Sequence, residues 1–177
     1  MRYLLMVIAA VMMVVLLSTT AFAGNSATIN VTVSIAAQAS ISVTGGPVDF
    51  GTMSIGASSV STAPVVVKNN GSGGNETYSI SLIDPSGWTS VVTAPGAEQY
   101  RLSCAFDADG SLTWNPTNNA LTTTTQASTA TKFAGDETGL HVPYNADRHL
   151  YFKMETPSST TSTTGKTIQV VIVAAVD

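Results

Sequence analysis

Apolar and polar residues alternate with a period of two along most of the chain, which is the pattern of β-strands that bury one face. The clearest runs are ATINVTVSI, ETYSISLI, YRLSCAF and DRHLYFKME, and SISV, VDF and APVVVKNN are shorter ones. The closing run, KTIQVVIVAAV, is apolar on both faces for much of its length, which is typical of a central strand. Turn-forming stretches such as NNGSGGN, DPSG and DADG separate the runs. The pattern predicts an all-β fold, a single antiparallel β-sandwich with about eight or nine strands.

A leader precedes these strands. Arg2 comes before an unbroken apolar run over residues 3–17, and Ala21, Phe22 and Ala23 form the small-x-small pattern that a signal peptidase cleaves. The run has 15 residues, whereas a transmembrane helix needs roughly 20. We therefore expect a signal peptide at 1–23 and a secreted domain at 24–177, located in the periplasm, at the cell surface or outside the cell. An uncleaved membrane anchor is the alternative.

The mature chain is acidic and carries few charges. After removal of the leader, six Lys and Arg residues face eleven Asp and Glu residues, which gives a net charge of −5. Nucleic acid and anionic lipid both attract clustered basic residues, and the six in this chain are scattered. We expect neither a nucleic-acid partner nor binding to a membrane once the leader is removed.

Cys104 is the only cysteine, so the chain cannot form an internal disulfide. The alternation in YRLSCAF places its thiol on the same face as Tyr100, Leu102 and Phe106. We expect a buried thiol that packs as a small apolar side chain. An intermolecular disulfide and a catalytic nucleophile are the alternatives, and no histidine lies near Cys104 in the sequence.

Two glycines in VDFGTMSIGASS, Gly51 and Gly56, raise the question of a phosphate-binding loop. Such a loop requires a lysine after its glycines and a helix N-terminus that aims backbone N–H groups at the phosphate. Neither follows here, because the next residues have the pattern of a strand. The stretch is predicted to be a bend between a strand at 48–50 and a strand that begins near Pro64.

The acidic stretch DADGS begins like a calcium loop, with Asp107, Asp109 and Ser111 at alternate positions. A calcium loop has glycine at its sixth position and glutamate at its twelfth, but here glycine is fourth and Asn118 is twelfth. A tight turn between the strand YRLSCAF and a second strand, SLTW, explains the stretch better. A surface calcium site in the loop GDETG is the alternative.

The sequence contains no recognisable catalytic or metal-binding motif. His141 and His149 lie eight residues apart, with Pro143 and a turn between them, so one helix or strand does not present both. Neither GxSxG nor HExxH occurs. We expect no catalytic residue, no cofactor and no metal, and hence no enzyme.

The stretch FGTMSIGASSVSTAPVVVKNNGSG resembles a pattern of secreted and periplasmic immunoglobulin-like domains, in which FG and a later glycine precede a valine-rich strand that ends in N-x-G. Hydin-like immunoglobulin domains share this pattern, and so, more weakly, do the secreted spore-coat-U and archaic-pilin proteins. ETYSISLIDPSGWT, FAGDETGLHVP and LYFKMETPSSTTSTTGKTIQVVIVAAV are similar to small secreted bacterial proteins with a leader and one sandwich. The resemblance covers most of the mature chain and implies an immunoglobulin-like antiparallel β-sandwich at 24–177 and a structural rather than a catalytic protein.

Residues 27–43 form a long alternating segment soon after the predicted cleavage site. This segment is either a first strand that switches sheets near Ala36 and Ala37, or a strand that adds to the sheet edge of a neighbouring subunit and builds a fibre. The sequence favours a non-catalytic structural or surface-assembly protein whose partner is another copy or another envelope protein. The candidate residues for strand exchange are Ile29, Val31, Val33, Ile35, Ile41 and Val43.

A carbohydrate-binding or adhesive module, with a glycan as its partner, is the alternative function. Trp88 follows the turn DPSG, and Trp114 ends the stretch SLTW. An exposed indole would form a platform on which a sugar ring stacks, whereas a buried one would close an end of the core. The accessibility of these two side chains therefore separates the two functions.

Overall fold

The computed structural model describes residues 32–34 and 36–177, and Ala36–Asp177 form one compact unit. The predicted leader lies outside the described residues. These residues include no helix with the length and apolar character that crossing a bilayer requires. The described chain is almost entirely β, which confirms the all-β prediction. Its elements are β1 (Ile41–Thr44), β2 (Ser58–Val60), β3 (Val65–Asn69), β4 (Glu76–Ile83), β5 (Thr89–Ser90), β6 (Gln99–Phe106), the short helix α1 (Pro116–Asn119), β7 (Gln126–Ala127), β8 (Asp147–Glu155) and β9 (Gln169–Val176).

The first sheet is built around β8. One edge of β8 pairs with β6, and the other edge pairs with β2 and with β3, which lie end to end along it. β1 extends the sheet beyond β3, and β5 extends it beyond β6 in a short parallel pairing. The strand order is β1-β3-β8-β6-β5, with β2 beside β8.

The second sheet has the order β7-β4-β9. β4 and β9 pair antiparallel along their full lengths, from Glu76 opposite Val176 to Ile83 opposite Gln169. β9 therefore lies at an edge of this sheet as the structure describes it. The prediction that KTIQVVIVAAV forms a central strand is wrong for these residues, because only one edge of β9 has a neighbour.

The two sheets share one hydrophobic core, and the alternation along the strands supplies it. Inward side chains of β3, β4, β6 and β8 are buried, and loop residues add to them at the ends of the strands. The Tyr78 and Phe106 rings, for example, pack with their centroids 6.0 Å apart. The strand residues of the core are Val65, Val67, Tyr78, Ile80, Leu82, Tyr100, Leu102, Cys104, Phe106, Leu150, Phe152 and Met154.

The bend at Gly51 and Gly56 is confirmed. Both glycines have positive φ, 61° and 68°, and the strand β2 rather than a helix follows them. Residues 48–50, however, are not a strand. The side chains of Val48 and Phe50 pack against the core from this loop. This packing explains why apolar residues alternate here although the backbone forms no strand pairing.

The predicted strand SLTW is also wrong. Residues 111–115 lie outside the strands, and Asn115 instead caps α1 by accepting a hydrogen bond from the N–H of Thr117. The preceding turn is stabilised by Asp107, whose carboxylate accepts the N–H of Gly110 at 2.7 Å. Gly110 then lies against the ring of Tyr151, which is buried although the alternation places it on the outer face.

β1 changes the length of the candidate exchange segment. Ile41 pairs opposite Asn69 and Val43 opposite Val67, so both residues belong to a strand of the chain's own first sheet. The prediction that Ile41 and Val43 take part in strand exchange is therefore corrected, because both residues belong to the chain's own first sheet. The candidate residues that precede Ala36 lie, except for Val33, outside the described residues.

Candidate functional site

The unpaired edge of β9 is the main candidate site. Asp177 donates its backbone N–H to the carbonyl of Asn75 at 3.1 Å, which makes the odd-numbered residues of β9 the ones that exchange hydrogen bonds with β4. In agreement, even-numbered residues of β4 bond on the opposite side, as Tyr78 does to Gly139. The even-numbered residues of β9 therefore direct their backbone N–H and C=O groups to the free edge, where the described chain places no partner strand: Val170, Ile172, Ala174 and Val176.

This edge lacks three common protections of edge strands. Native proteins usually protect an exposed edge with charged residues, proline, a bulge or a very short strand. β9 has eight residues, and none of them is charged or proline. Its composition is that of a strand with a neighbour on each side.

A groove of about 530 Å³ opens onto the core beside β9. Asp49 and Lys166 are the only charged residues in its lining, and most of the lining is apolar. The lining side chains come from β9, from β1 and the loop after it, and from the inner face of the first sheet. The apolar ones include Val170 and Ile172, then Val43, Val48 and Phe50, and finally Val65, Leu102 and Phe152.

The inward side chains of β9 are less buried than those of its neighbour. Tyr78, Ile80 and Leu82 in β4 are at most 2% exposed, whereas Val170 and Ile172 in β9 are only half-buried. Completing the burial of a large aliphatic side chain contributes up to about 1.5–3 kcal/mol. The groove therefore offers both unpaired backbone groups and apolar surface to an added strand.

The chain enters the compact unit at the end of the groove where β9 ends. Gln38 donates its N–H to Ser72 Oγ at 2.7 Å and accepts the N–H of Ser72 at 3.0 Å. A Cβ added to Gly74 would contact both Ala37 and Val176 within 4 Å. Residues 37 and 38 are therefore held beside the C-terminal end of β9, just before β1.

The candidate exchange residues are only partly described. Ile29, Val31 and Ile35 lie outside the described residues. Val33 is described, and its side chain is 78% exposed. Val43, now assigned to β1, lines the groove and is 50% exposed.

The two tryptophans do not form fully exposed platforms. Trp88 is half-buried, its Nε1 donates to Thr160 Oγ1 at 3.2 Å, and its ring centroid lies 6.0 Å from that of Tyr100. It lines a cleft of about 480 Å³ that adjoins the groove. Trp114 is also half-buried. Because Trp88 is anchored by these contacts, it is better placed to close one end of the core than to stack on a sugar.

Cys104 and the two histidines show no catalytic arrangement. Cys104 is fully buried, as expected, and burial raises the pKa of its thiol well above the usual range. His141 Nδ1 lies 2.7 Å from the carboxylate of Asp177, and His149 Nδ1 lies 3.2 Å from that of Glu137. Each histidine thus has its own acidic partner, and the two do not form a common site.

One cluster of carboxylates was not predicted as a unit. Asp107, Asp109 and Asp136 each place an oxygen atom within 4.8 Å of the others, close enough to hold a cation. Asp107 and Asp136 already accept backbone N–H groups across the cluster: Asp136 Oδ1 bonds to Ala108 at 2.7 Å, and Asp107 Oδ2 bonds to Asp136 at 3.3 Å. These bonds join two loops of the fold.

Comparison with protein families, with curated proteins and with solved structures finds no match for this chain. The edge of β9 and the groove are therefore the features of the molecule that bear on its function. Sequence reasoning missed the groove because its lining comes from stretches far apart in the chain. One local signal pointed to it, since the two apolar faces of KTIQVVIVAAV predicted a strand with two neighbours.

Proposed function

We propose that this chain is an exported, non-catalytic structural subunit with an immunoglobulin-like β-sandwich fold, and that it assembles by adding a β-strand to the free edge of β9. The assembly forms in the periplasm, at the cell surface or outside the cell. One observation carries the proposal: β9 has the composition of a central strand and the position of an edge strand.

The contacts of an added strand explain why such an assembly would be stable. Main-chain hydrogen bonds to a sheet edge provide affinity, and alternate side chains provide specificity. An added strand would pair with the free backbone groups of Val170, Ile172 and Ala174 and would cover the groove. If each copy gives its strand to one neighbour and receives a strand from another, and the head-to-tail contact does not close, a filament results.

The experiment compares two lysine substitutions in neighbouring residues of the mature protein. Ile172→Lys places a charge in the groove, whereas Val173→Lys places it on the outer face, where Val173 is 51% exposed. Light scattering and negative-stain microscopy should show oligomers or filaments for the unmodified protein and for Val173→Lys, but not for Ile172→Lys. Inward-pointing charges are a common means of blocking edge association.

A second variant separates loss of assembly from loss of folding. Ala174→Pro removes an N–H that points to the free edge and leaves the β4–β9 hydrogen bonds in place. We expect it to unfold cooperatively, as the unmodified protein does, and to remain monomeric. A mature protein that is monomeric at all concentrations, or an assembly that survives both edge substitutions, would contradict the proposal.

A further inference from the structure

We infer that the strand added to β9 is the N-terminal segment (residues 27–35) of a second copy, and that it runs antiparallel to β9. This inference rests on the proposed function and names the partner of the same edge. It follows from the length and pattern of the segment, from the hydrogen-bonding parity of β9, and from the place where the chain enters the compact unit.

The N-terminal segment fits the edge in length and composition. It has nine residues, ATINVTVSI, against eight in β9, and it contains neither a charge nor a proline. Its apolar residues alternate with Asn30, Thr32 and Ser34, so one face is apolar throughout. Val33 is 78% exposed, a large apolar side chain that a partner would bury.

The parity of the ladder restricts the register to steps of two residues, and the register that covers the groove lining as far as Ile168 places Val31 opposite Ile172. The residues of β9 that direct N–H and C=O to the free edge are the same ones whose side chains face the groove. The added strand must therefore place its apolar residues directly opposite them, because a shift by one residue would turn Asn30 and Thr32 into the groove. With Val31 opposite Ile172, every inward pair is apolar: Ile29–Ala174, Val31–Ile172, Val33–Val170 and Ile35–Ile168.

Chain connectivity assigns this strand to another copy. In the antiparallel register Ile35 lies beside Ile168, the residue just before β9. The next residues of the same chain are held beside Val176, at the other end of β9. From Ile168 to Val176 the strand spans about 26 Å, whereas consecutive Cα atoms are only about 3.8 Å apart. A segment from the same chain would instead have to run parallel to β9, with Ile35 near Ala174.

Antiparallel pairing is also slightly more stable per residue than parallel pairing. Each copy carries one N-terminal segment and one groove, so every copy is both donor and acceptor. Donation in head-to-tail order from copy to copy then gives a filament, whereas reciprocal exchange between two copies gives a closed dimer.

Introduced pairs of cysteines distinguish antiparallel from parallel pairing of the N-terminal segment with β9. Ile29→Cys with Ala174→Cys bridges the antiparallel register, and Ile35→Cys with Ala174→Cys bridges the parallel one. Directly opposed residues of a hydrogen-bonded pair have Cα atoms about 5.5 Å apart, which suits a disulfide. Cys104 is buried and does not compete for oxidation. We expect the first variant of the mature protein to give a ladder of covalent multimers on a non-reducing gel, and the second to give none.

A mixing experiment provides the matched control. The single variants Ile29→Cys and Ala174→Cys, one of them carrying a mass tag, should form a mixed dimer when the two proteins are combined. An intramolecular disulfide in the Ile35→Cys, Ala174→Cys variant would overturn the inference, because the segment would then cover the groove of its own chain. Filaments without either disulfide would also overturn it while leaving the proposed function intact. Monomers without any disulfide would contradict both.

Discussion

The carboxylate of Glu76 accepts the backbone N–H of Ser40 at 2.7 Å and thereby joins the entry of β1 to the first residue of β4. Glu76 is 1% exposed, and the contact links the two sheets at the end of the groove. Asn69 strengthens the same corner, since its side-chain N–H donates to the carbonyl of Val142 at 2.9 Å. The side chain of Glu76 is buried, so a change there affects packing as well as the hydrogen bond to Ser40.

Replacing Glu76 should destabilise the fold according to how much of this contact survives. Glu76→Ala leaves the N–H of Ser40 without its acceptor and opens a cavity, so we expect a loss of about 2–4 kcal/mol in the free energy of unfolding. Glu76→Gln keeps an oxygen acceptor and the volume, so its loss should be only about 1 kcal/mol. Urea unfolding measures both, and equal losses would show that the hydrogen bond contributes little.

Gly110 should tolerate alanine less well than Gly73, although both have similar positive φ, 81° and 82°. A Cβ on Gly110 would lie 2.9 Å from the ring of Tyr151, whereas a Cβ on Gly73 would meet nothing within 4 Å. Gly73→Ala should cost about 1–2 kcal/mol for the left-handed backbone. Gly110→Ala should cost about 1–3 kcal/mol more for overpacking.

Thermal or urea unfolding of the two glycine variants tests this directly. The difference between them isolates the contact with Tyr151, because the backbone cost is common to both. If the two variants lost the same stability, the ring of Tyr151 would have room to move aside.

Cys104 should react with thiol reagents only when the protein unfolds. Burial raises the pKa of its thiol, so the reactive thiolate is scarce near pH 8, and the side chain is out of reach of the reagent. We expect no labelling by an aromatic disulfide reagent under native conditions and one thiol per chain in denaturant. Rapid, complete labelling of the folded protein would contradict the buried position.

Asp177 should stabilise the end of β9 in a pH-dependent way. The hydrogen bond from Thr77 and the contact with His141 hold the pKa of the Asp177 carboxyl below its usual range. A carboxyl with a lower pKa in the folded state stabilises the fold above its unfolded pKa of about 3.9, and this stabilisation is lost as the pH falls through the folded pKa.

The melting temperature of Asp177→Asn should therefore lie below that of the unmodified protein near neutral pH and should converge with it in strong acid. Thr77→Val removes the hydroxyl that donates to Asp177. In a Thr77→Val background, Asp177→Asn should therefore lower the melting temperature by less. A difference that does not change with pH would show that the Asp177 charge makes no contribution.

Trp88 should fluoresce as a protected indole. In a Trp114→Phe variant the emission comes from Trp88 alone, which is half-buried and bonded to Thr160. We expect a blue-shifted emission and weak quenching by acrylamide, both lost on unfolding. Quenching as strong as in the unfolded chain would favour an exposed platform and hence the sugar-binding alternative.

Local patterns predicted the buried faces of the strands well. The alternation placed Tyr78, Ile80 and Leu82 on one face, and all three are buried. It also predicted the buried thiol of Cys104. These predictions succeed because side chains of a strand alternate between two faces whatever the strand pairs with.

Contacts between distant residues were not predictable in this way. Glu98 accepts a hydrogen bond from Thr160, 62 residues away, and so fixes a loop that no local pattern of the sequence predicts. Tyr151 is buried because Gly110 lies against it, although its own strand pattern places it outside. Such contacts depend on which parts of the chain the fold brings together.

The sequence by itself determined most of the longer strands, β3, β4, β6 and β8, with their inner faces, and the absence of a familiar catalytic motif, because each of these depends on residues close together in the chain. The tertiary structure alone decided that Ile41 and Val43 belong to the chain's own sheet and that β9, among the described residues, has a free edge over an open groove. Strand order and register result from all the long-range contacts acting together, and no short stretch of sequence contains them.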